Sequence, residues 1–258
     1  MIEVENIGFD IGKESILKEI TTTFLPNQIS MVIGANGAGK STLLKVLSQQ
    51  VISKSGEIYF SGKNLETYDL KEMAKVRAVL SQHLTVAFPL SVQEVVMMGR
   101  YPHFDGRAKQ NDVEIVKEAL RIFDMESFSS RNFQTLSGGE QQRVHFARVA
   151  AQIWPENNGL KYLFLDEPLT YLDVFYQYEF MQFLTSFMKK QPLVIVGVVH
   201  DLNIAFKYAQ KVILMHQGKI IKQGQPKEVF ASTQMEHAFK LKPHIYTHAN
   251  GDEIFSFS

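Results

Sequence analysis

One eight-residue segment constrains this chain more than any other. The sequence GANGAGKS at residues 34–41 has the pattern G-x-x-x-x-G-K-S, and it separates an apolar strand pattern from a helical pattern that begins at Lys40. Glycines let backbone N–H groups turn inward around phosphates, and the helix N-terminus adds a positive dipole end. We predict a nucleotide-binding loop, with Lys40 on the phosphates and Ser41 as a Mg²⁺ ligand. The predicted ATP-binding residues here are Gly34, Ala35, Asn36, Gly37, Ala38, Gly39, Lys40, Ser41 and Thr42.

Polar residues follow three further apolar strand patterns. YLFLDEP ends in Asp166 and Glu167, LVIVGVVH ends in His200, and VRAVLSQ ends in Gln82. In open α/β sheets, ligands bind at the carboxyl ends of the strands. We expect Asp166 and Gln82 to join Ser41 around Mg²⁺, and Glu167 to orient or deprotonate an attacking water. The predicted catalytic residues are Glu167, His200, Gln82 and Lys40.

The order of strand and helix patterns predicts an α/β fold. Strand patterns alternate with helices in the way that is typical of a parallel sheet, whereas helical periodicity dominates residues 83–153. We predict a P-loop NTPase core with a parallel sheet and an N-terminal antiparallel β region, built from residues 1–82 and 154–258. Residues 83–153 are predicted to form an inserted α-helical subdomain. The tail IYTHANGDEIFSF alternates around Asn250-Gly251, which predicts a hairpin.

Composition excludes several other classes of protein. The 27 basic residues balance the 27 acidic ones, so no net charge favours nucleic acid as a partner. The absence of cysteine excludes disulfides, thiolate metal sites and a cysteine nucleophile. No apolar run reaches the ~18 residues that a membrane span needs. We therefore expect a soluble chain that serves a membrane only by docking onto a protein that spans it.

A second glycine-containing turn identifies the family. In LSGGEQQRVHFARV, residues 136–149, Ser137, Gly138 and Gly139 open a long helix and form a second anion-binding terminus. If the two termini lie on different subdomains, only a head-to-tail pair of chains brings both to one nucleotide. This arrangement resembles the ATP-binding-cassette (ABC) ATPases, whose signature motif is LSGGE, and the resemblance covers nearly the whole chain.

The resemblance implies roles for individual residues. It implies a homodimer that sandwiches ATP, in which Ser137 and Gly139 of one subunit touch the γ-phosphate held by Lys40 of the other. It also assigns Gln82 to the Q-loop, Asp173 to the D-loop and His200 to the switch position.

Two residues depart from the family pattern. The family usually stacks adenine on an aromatic residue where this chain has Ile11, and Phe9 is an untested substitute expected on the same face. Tyr171 in the D-loop sequence LTYLD is bulkier than usual, which predicts an altered dimer contact.

Residues 87–104, AFPLSVQEVVMMGRYPHF, form an apolar and aromatic segment after the Q-loop, which we call the docking segment. ABC ATPases present such a surface to a permease, and a helix-receiving groove needs apolar and aromatic anchors with a few polar residues. Val92, Val95 and Val96 are assigned to core packing. The predicted permease contacts are Phe88, Met97, Met98, Arg100 and Tyr101. The resemblance thus implies a permease dimer with a substrate-binding protein, and a peripheral location on the cytoplasmic side of the inner membrane.

The sequences of two segments indicate a narrower group within the ABC ATPases. FPLSVQEVVMMGRYPH resembles the importers of iron chelates, cobalamin and heme, and the Trp-Pro insert in ARVAAQIWPENNGLKYLFLDEP resembles the heme-import ATPases. Ferric siderophore and cobalamin import remain alternatives. So does a soluble ABC ATPase of iron–sulfur assembly, whereas the single cassette disfavours a translation factor and the lack of a long coiled-coil insert disfavours DNA repair. Direct heme binding is not expected, because the substrate passes through the permease. That interpretation covers His83, His103, His244 and His248.

Overall fold

The structure is a computed structural model that describes residues 1–81, 87–155, 159–247 and 253–257. Two compact units make up the chain. The first contains Met1–Tyr68, Phe164–Glu167 and Leu193–Ser258, and the second contains Asp69–Leu163 and Pro168–Pro192. The described part of the predicted helical subdomain falls within the second unit, which also takes in the flanking residues from Asp69 onward and the segment after Glu167.

The elements have the following bounds. The strands are β1 (Ile2–Ile11), β2 (Glu14–Phe24), β3 (Gln28–Ile33), β4 (Ser55–Phe60), β5 (Lys63–Asn64), β6 (Arg77–Leu80), β7 (Lys161–Asp166), β8 (Leu193–Val198), β9 (Lys211–His216), β10 (Lys219–Gly224), β11 (Pro243–Thr247) and β12 (Glu253–Phe257). The α-helices are α1 (Lys40–Leu47), α2 (Leu70–Val76), α3 (Val92–Met97), α4 (Gln110–Ile122), α5 (Gly138–Gln152), α6 (Val174–Lys190), α7 (Leu202–Tyr208), α8 (Pro226–Phe230) and α9 (Thr233–Phe239). Short 3₁₀ helices lie at Leu65–Thr67, Met98–His103, Glu126–Phe128 and Phe133–Thr135.

The first unit carries the parallel sheet that the sequence predicts. Strand β3 pairs in parallel with β8 on one side and β9 on the other, and β10 adds an antiparallel edge to β9. The last residues of β7 follow β8 in the same sheet. Strands β7 and β8 are buried along their whole length. Because both faces of these strands are covered, their sequences are mainly apolar and do not alternate between apolar and polar residues. The carboxyl ends of β3, β7 and β8 therefore meet at one edge of the sheet.

The N-terminal antiparallel region is confirmed as well. Strands β2, β1, β4 and β5 form an antiparallel sheet in that order. At the other end of the chain, β11 and β12 pair antiparallel from Thr247 opposite Glu253, which confirms the predicted hairpin. The Asn250-Gly251 turn on which that prediction rested lies outside the described residues.

The second unit is built mainly from helices, with β6 and the first residues of β7 beside them. Its core contains a stack of aromatic rings between α5 and α6, where the centroids of Phe146 and Phe180 are 3.8 Å apart. Phe123 and Phe183 make an edge contact at 4.6 Å that ties the end of α4 to the same cluster. Among the described residues, no helix is both long enough and apolar enough to cross a membrane.

Candidate active site

The phosphate loop, residues 34–41, joins the end of β3 to the start of α1. Gly34, Gly37 and Gly39 have φ angles of 147°, 78° and 96°, a region that favours glycine. A Cβ atom on Gly34 would lie 2.2 Å from the carbonyl oxygen of Met215, which is far inside contact distance. Glycine is required here both by the conformation and by the close approach of a neighbouring strand.

Lys40 is the first residue of α1, and its ammonium group folds back into the phosphate loop. Its Nζ donates hydrogen bonds to the carbonyl oxygens of Gly34 at 2.8 Å and Ala35 at 3.0 Å. Burial lowers the pKa of Lys40 below its ordinary value, and the nearby Glu167 and Asp166 oppose that shift. A cation is thus held within the curve of the loop, where phosphate oxygens would be received.

The next residue, Ser41, connects the loop to the end of β7. Its Oγ donates a hydrogen bond of 2.9 Å to Oδ1 of Asp166. Burial raises the pKa of Asp166, and the hydrogen bond from Ser41 acts in the opposite direction. A hydroxyl and a carboxylate oxygen therefore meet at one point. These are the hard oxygen ligands that Mg²⁺ prefers, so the two residues fit the predicted metal role.

Glu167 follows directly after β7 and adopts a left-handed backbone with φ of 51°, which is uncommon for a residue other than glycine. Its N–H donates to the carbonyl oxygen of Val198 at 3.0 Å, so the end of β8 fixes this turn. Its Oε1 lies 2.6 Å from Nε2 of His200. Because a carboxylate can only accept, the Nε2 atom carries the hydrogen. Backbone strain of this kind is concentrated at functional sites.

Lys40, Ser41, Asp166, Glu167 and His200 thus lie at one edge of the first unit, as the sequence predicts. Gln82, the remaining residue of that set, lies outside the described residues, as does His83. Ile11, at the expected adenine position, is 61% exposed. The β1–β2 register shifts between Phe9 and Asp10, so the regular alternation that was expected to bring Phe9 to the same face as Ile11 is interrupted.

The second unit contains the signature turn, Ser137–Gly139, at the start of α5. Ser137 and Glu140 form a capping box, in which Glu140 Oε2 accepts from the Ser137 backbone N–H at 2.7 Å and from its hydroxyl at 2.8 Å. These hydrogen bonds lower the pKa of Glu140. Asp173 caps α6 in turn by accepting from the N–H of Tyr176 at 3.1 Å. Both predicted dimer-contact residues are therefore rigidly held helix caps.

Tyr171 of the D-loop packs beside the signature turn. A Cβ on Gly138 would lie 3.9 Å from Cβ of Tyr171, and one on Gly139 would lie 3.4 Å from the Tyr171 carbonyl oxygen. Gln142 reinforces this arrangement, since its Nε2 donates to the carbonyl oxygen of Pro168 at 2.7 Å. Sequence reasoning missed Gln142, because no local pattern links two residues that are so far apart in the chain.

The docking segment divides into buried and exposed residues. Val92, Val95 and Val96 are fully buried, which confirms their assignment to the core. The exposed fractions of Phe88 and Tyr101 are 71% and 57%. Met97 and Met98 are half-buried.

The prediction for Arg100 is corrected by the structure. Its side chain is only 1% exposed, and its Nε donates to Asp112 Oδ1 at 3.0 Å while Nη1 donates to the carbonyl oxygen of Ala151 at 2.8 Å. Arg100 therefore holds the second unit together from the inside and is not available as a surface contact.

No group of three or more His, Cys, Asp or Glu side chains suited to holding a metal ion occurs among the described residues. His103 makes a hydrogen bond of 2.7 Å with the carbonyl oxygen of Gln152, and His244 lies beside the ring of Tyr246. His248 lies outside the described residues. His103 and His244 thus have neighbours that are typical of ordinary packing.

Comparison with known proteins agrees with this geometry. A family model described as "ABC transporter" matches residues 17–170, which is more than half of the chain. The chain belongs to the ABC transporter family. Membership indicates ATP binding and hydrolysis, in agreement with the phosphate loop and the strand-end carboxylates.

Three similar proteins show the extent of this resemblance in sequence and in structure. The hemin import ATP-binding protein HmuV of Escherichia coli O157:H7 is 38% identical over 229 residues, which cover 89% of this chain and 88% of that protein. A metal-chelate type ABC transporter in an inward-facing conformation superposes with a TM-score of 0.82 at 25% identity, covering 100% of this chain and 97% of that one. A dimeric ATP-binding cassette with bound ADP and phosphate, in a post-hydrolysis state, gives a TM-score of 0.76 at 22% identity, covering 88% and 99% of the two chains.

Proposed function

We propose that this chain is the ATP-hydrolysing subunit of an importer that moves heme through a permease in the inner membrane. The observation that carries the proposal is the 38% identity to a hemin import ATP-binding protein over almost the full length of both chains. The closely placed Lys40, Ser41, Asp166, Glu167 and His200 support ATP hydrolysis as the reaction that drives transport.

The phosphate loop would bind the nucleotide. Backbone N–H groups of the loop and the start of α1 would receive the β- and γ-phosphate oxygens, with Lys40 neutralising their charge. Ser41 and Asp166, joined by their hydrogen bond, would hold Mg²⁺ together with Gln82. When bound, this ion supplies charge stabilisation at the phosphates.

Glu167 would act as the general base. The water oxygen attacks the γ-phosphorus, its proton passes to the Glu167 carboxylate, and the bond from the γ-phosphorus to the bridging oxygen breaks to release ADP. The Nε2 atom of His200, at 2.6 Å from the carboxylate, donates its hydrogen to Glu167 and would so orient this base. The left-handed turn at Glu167 keeps the carboxylate at the edge of the sheet throughout.

A second copy of the chain would complete the site. The signature turn would bring Ser137 and Gly139 to the anion as hydrogen-bond donors, with the Ser137 hydroxyl turning from Glu140 to the phosphate, and Asp173 is held at the start of α6. A nucleotide held by Lys40 of one subunit and by the signature turn of the other would close a homodimer. A solved neighbour at 22% identity is a dimeric cassette bound to ADP and phosphate.

The permease contact would lie on the docking segment. Phe88 and Tyr101 are exposed aromatic residues of the kind that anchor protein interfaces, with Met97 and Met98 beside them as adaptable apolar contacts. Docking there places the chain on the cytoplasmic side of the membrane as a peripheral subunit. It transmits dimer closure to the permease, which receives heme from a substrate-binding protein. The chain itself does not touch heme.

The test is ATPase activity with a hemin-type permease from the same genome in membrane vesicles. Phosphate release is measured with binding protein that is empty, heme-loaded, or replaced by binding proteins carrying a ferric siderophore or cobalamin. Stimulation by the heme-loaded form alone supports the proposal. Stimulation by either of the other two substrates would transfer the same mechanism to that substrate.

The Tyr101→Ser variant is the control for coupling. It should keep the basal ATPase rate of the isolated subunit and lose stimulation by the permease. If no permease stimulates the unaltered chain, the importer proposal fails, and a soluble role such as iron–sulfur assembly becomes the better one.

A further inference from the structure

Two histidines of the first unit lie against each other at the end of strand β9. His216 is the last residue of β9 and His237 lies in α9, and their ring centroids are 4.9 Å apart at an interplanar angle of 66°. His216 is half-buried and His237 is exposed, so the pair is accessible from solvent in the free chain. No local motif contains both residues, and only the fold brings them together.

Neither imidazole has another polar partner among the described residues. The two rings contact each other, and no hydrogen bond or ion pair joins either side chain to the rest of the described chain. Lys219 is opposite His216 in the β9–β10 register, but its Nζ lies 4.0 Å from Oε2 of Glu19, so an opposite charge accompanies that cation. The ring nitrogens are thus available to an outside ligand.

The chemistry of the pair indicates the class of ligand. Imidazole nitrogen is a preferred protein ligand of zinc, copper and nickel, whereas Mg²⁺ and Ca²⁺ prefer oxygen. Two histidines leave further coordination positions for water. This agrees with the finding that no third His, Cys, Asp or Glu joins such a group within the described ranges.

The separation of the rings fits one shared ion. Zinc binds imidazole nitrogen at about 2.0–2.1 Å, so the ion lies about 3.2 Å from each ring centre. At a tetrahedral angle, the centres of two such rings are about 5 Å apart, and the observed separation is 4.9 Å. Because no hydrogen bond to a described residue fixes either ring, rotation about the side-chain torsions can turn one nitrogen of each toward the ion.

The pair is next to the phosphate loop. Met215 precedes His216, and its carbonyl oxygen would lie 2.2 Å from a Cβ on Gly34. Two residues after His216, the N–H of Gly218 donates to the carbonyl oxygen of Ala38 at 3.1 Å. The turn after β9 therefore supports the phosphate loop, and a ligand that joins His216 to α9 would restrain that turn.

We infer that His216 and His237 together bind one divalent transition-metal ion of the zinc or copper type, and that this ion fastens α9 to the end of β9 beside the phosphate loop. The site is separate from the proposed Mg²⁺ position at Ser41 and Asp166, where the ligands are oxygen atoms. The inference does not depend on the transported substrate, so it stands or fails apart from the importer proposal.

The first experiment is calorimetric titration of the chelator-treated chain, purified without a histidine tag, with zinc chloride. One ion should bind per chain. His216→Gln and His237→Gln should each weaken zinc binding by about 10-fold or more, since loss of a ligand costs at least as much as loss of an outer-shell partner. Thermal unfolding without zinc checks that both variants are folded. Zinc affinity within about twofold of the original in both folded variants overturns the inference.

Two other histidines of the same unit are the matched controls. His244 lies beside the ring of Tyr246, and His200 lies 2.6 Å from Glu167. Zinc affinity should stay within about twofold of the original in His244→Gln and in His200→Gln. If His200→Gln abolishes binding and His237→Gln does not, the ion occupies the catalytic edge and the inference is wrong.

Copper identifies the ligands directly. With one Cu²⁺ per chain, the nitrogen couplings in the electron paramagnetic resonance spectrum should correspond to two imidazoles in the original chain and to fewer than two in His237→Gln. Identical spectra from the two proteins would refute the proposed ligand set.

Hydrogen exchange tests the connection to the phosphate loop. A bound zinc ion should slow amide exchange in the peptide that contains Gly218, because the turn is restrained, and this effect should be absent from His237→Gln. Unchanged exchange in the zinc-saturated original chain would overturn the claim that the ion fastens this turn.

Discussion

In the phosphate loop, residues 34–41, function depends on backbone shape, whereas in the docking segment, residues 87–104, it depends on which side chains face outward. Gly34 is fixed by its φ angle and by the nearness of the Met215 carbonyl oxygen, so almost any other residue is excluded. Phe88 and Arg100 lie in one stretch of similar composition, yet one is exposed and the other is buried. A backbone requirement produces a recognisable spacing of glycines in the sequence, whereas surface exposure produces no such pattern.

This difference has consequences for mutation. Substitutions at the strand-end site should abolish chemistry and leave the fold almost unchanged. Substitutions in the docking segment should divide into those that damage the fold and those that affect only the partner.

The largest effect is expected for Glu167→Gln. The amide keeps the size of the side chain but cannot accept the proton of the attacking water, so steady-state phosphate release should fall by about 10²- to 10⁴-fold. ATP binding should persist, since Lys40 and the loop are untouched. Gel filtration of the variant in the presence of ATP should then show accumulated dimers.

Glu179→Gln is the control for this change, because Glu179 lies on an exposed part of α6. It should leave phosphate release unchanged. Turnover of the Glu167→Gln variant close to that of the original chain would rule out Glu167 as the base.

A smaller effect should separate two adjacent residues of the docking segment. Arg100→Met leaves Asp112 buried without its cation, so the free energy of unfolding should fall by about 3–5 kcal/mol. Tyr101→Ser removes an exposed side chain and should change it by less than about 0.5 kcal/mol. Urea unfolding of the isolated subunit measures both changes.

The double variant Arg100→Met with Asp112→Leu sharpens this comparison. Removing both charges should restore most of the lost stability, because no unpaired group remains in the core. Equal stability of the Arg100→Met and Tyr101→Ser variants would mean that Arg100 is not the internal residue that its ion pair with Asp112 indicates.

The same difference between the phosphate loop and the docking segment determines which features the sequence could predict. The parallel sheet, the antiparallel N-terminal region and the convergence of Lys40, Asp166 and His200 all follow from strand patterns and from the rule that ligands bind at strand ends. The sequence could not distinguish Arg100 from Tyr101, because the burial of Arg100 depends on Asp112 twelve residues away and on a carbonyl oxygen of another helix.

The same limit applies to Gln142 in α5. Gln142 matters because of a hydrogen bond to Pro168. That contact is long-range, and it does not change the local helix pattern. In the active site, by contrast, Ser41 and Asp166 each belong to a local motif, so their meeting could be predicted although 125 positions separate them.

The smallest effect concerns the pH dependence of stability. Burial raises the pKa of Asp166 in the folded chain above its value in the unfolded chain, so the folded state binds the proton more tightly. The free energy of unfolding should therefore fall as pH rises from the ordinary carboxyl pKa through the raised one, and stay level above it.

In Asp166→Asn this group no longer titrates, so the variant should gain stability relative to the original chain across that window. Ser41→Ala removes a hydrogen bond that lowers the pKa of Asp166 in the folded chain, so it should extend the window to higher pH. Urea unfolding at a series of pH values checks both shifts. A difference between Asp166→Asn and the original chain that does not vary with pH would mean that the proton affinity of Asp166 is the same in the folded and unfolded states, and that the strand-end carboxylate is not desolvated.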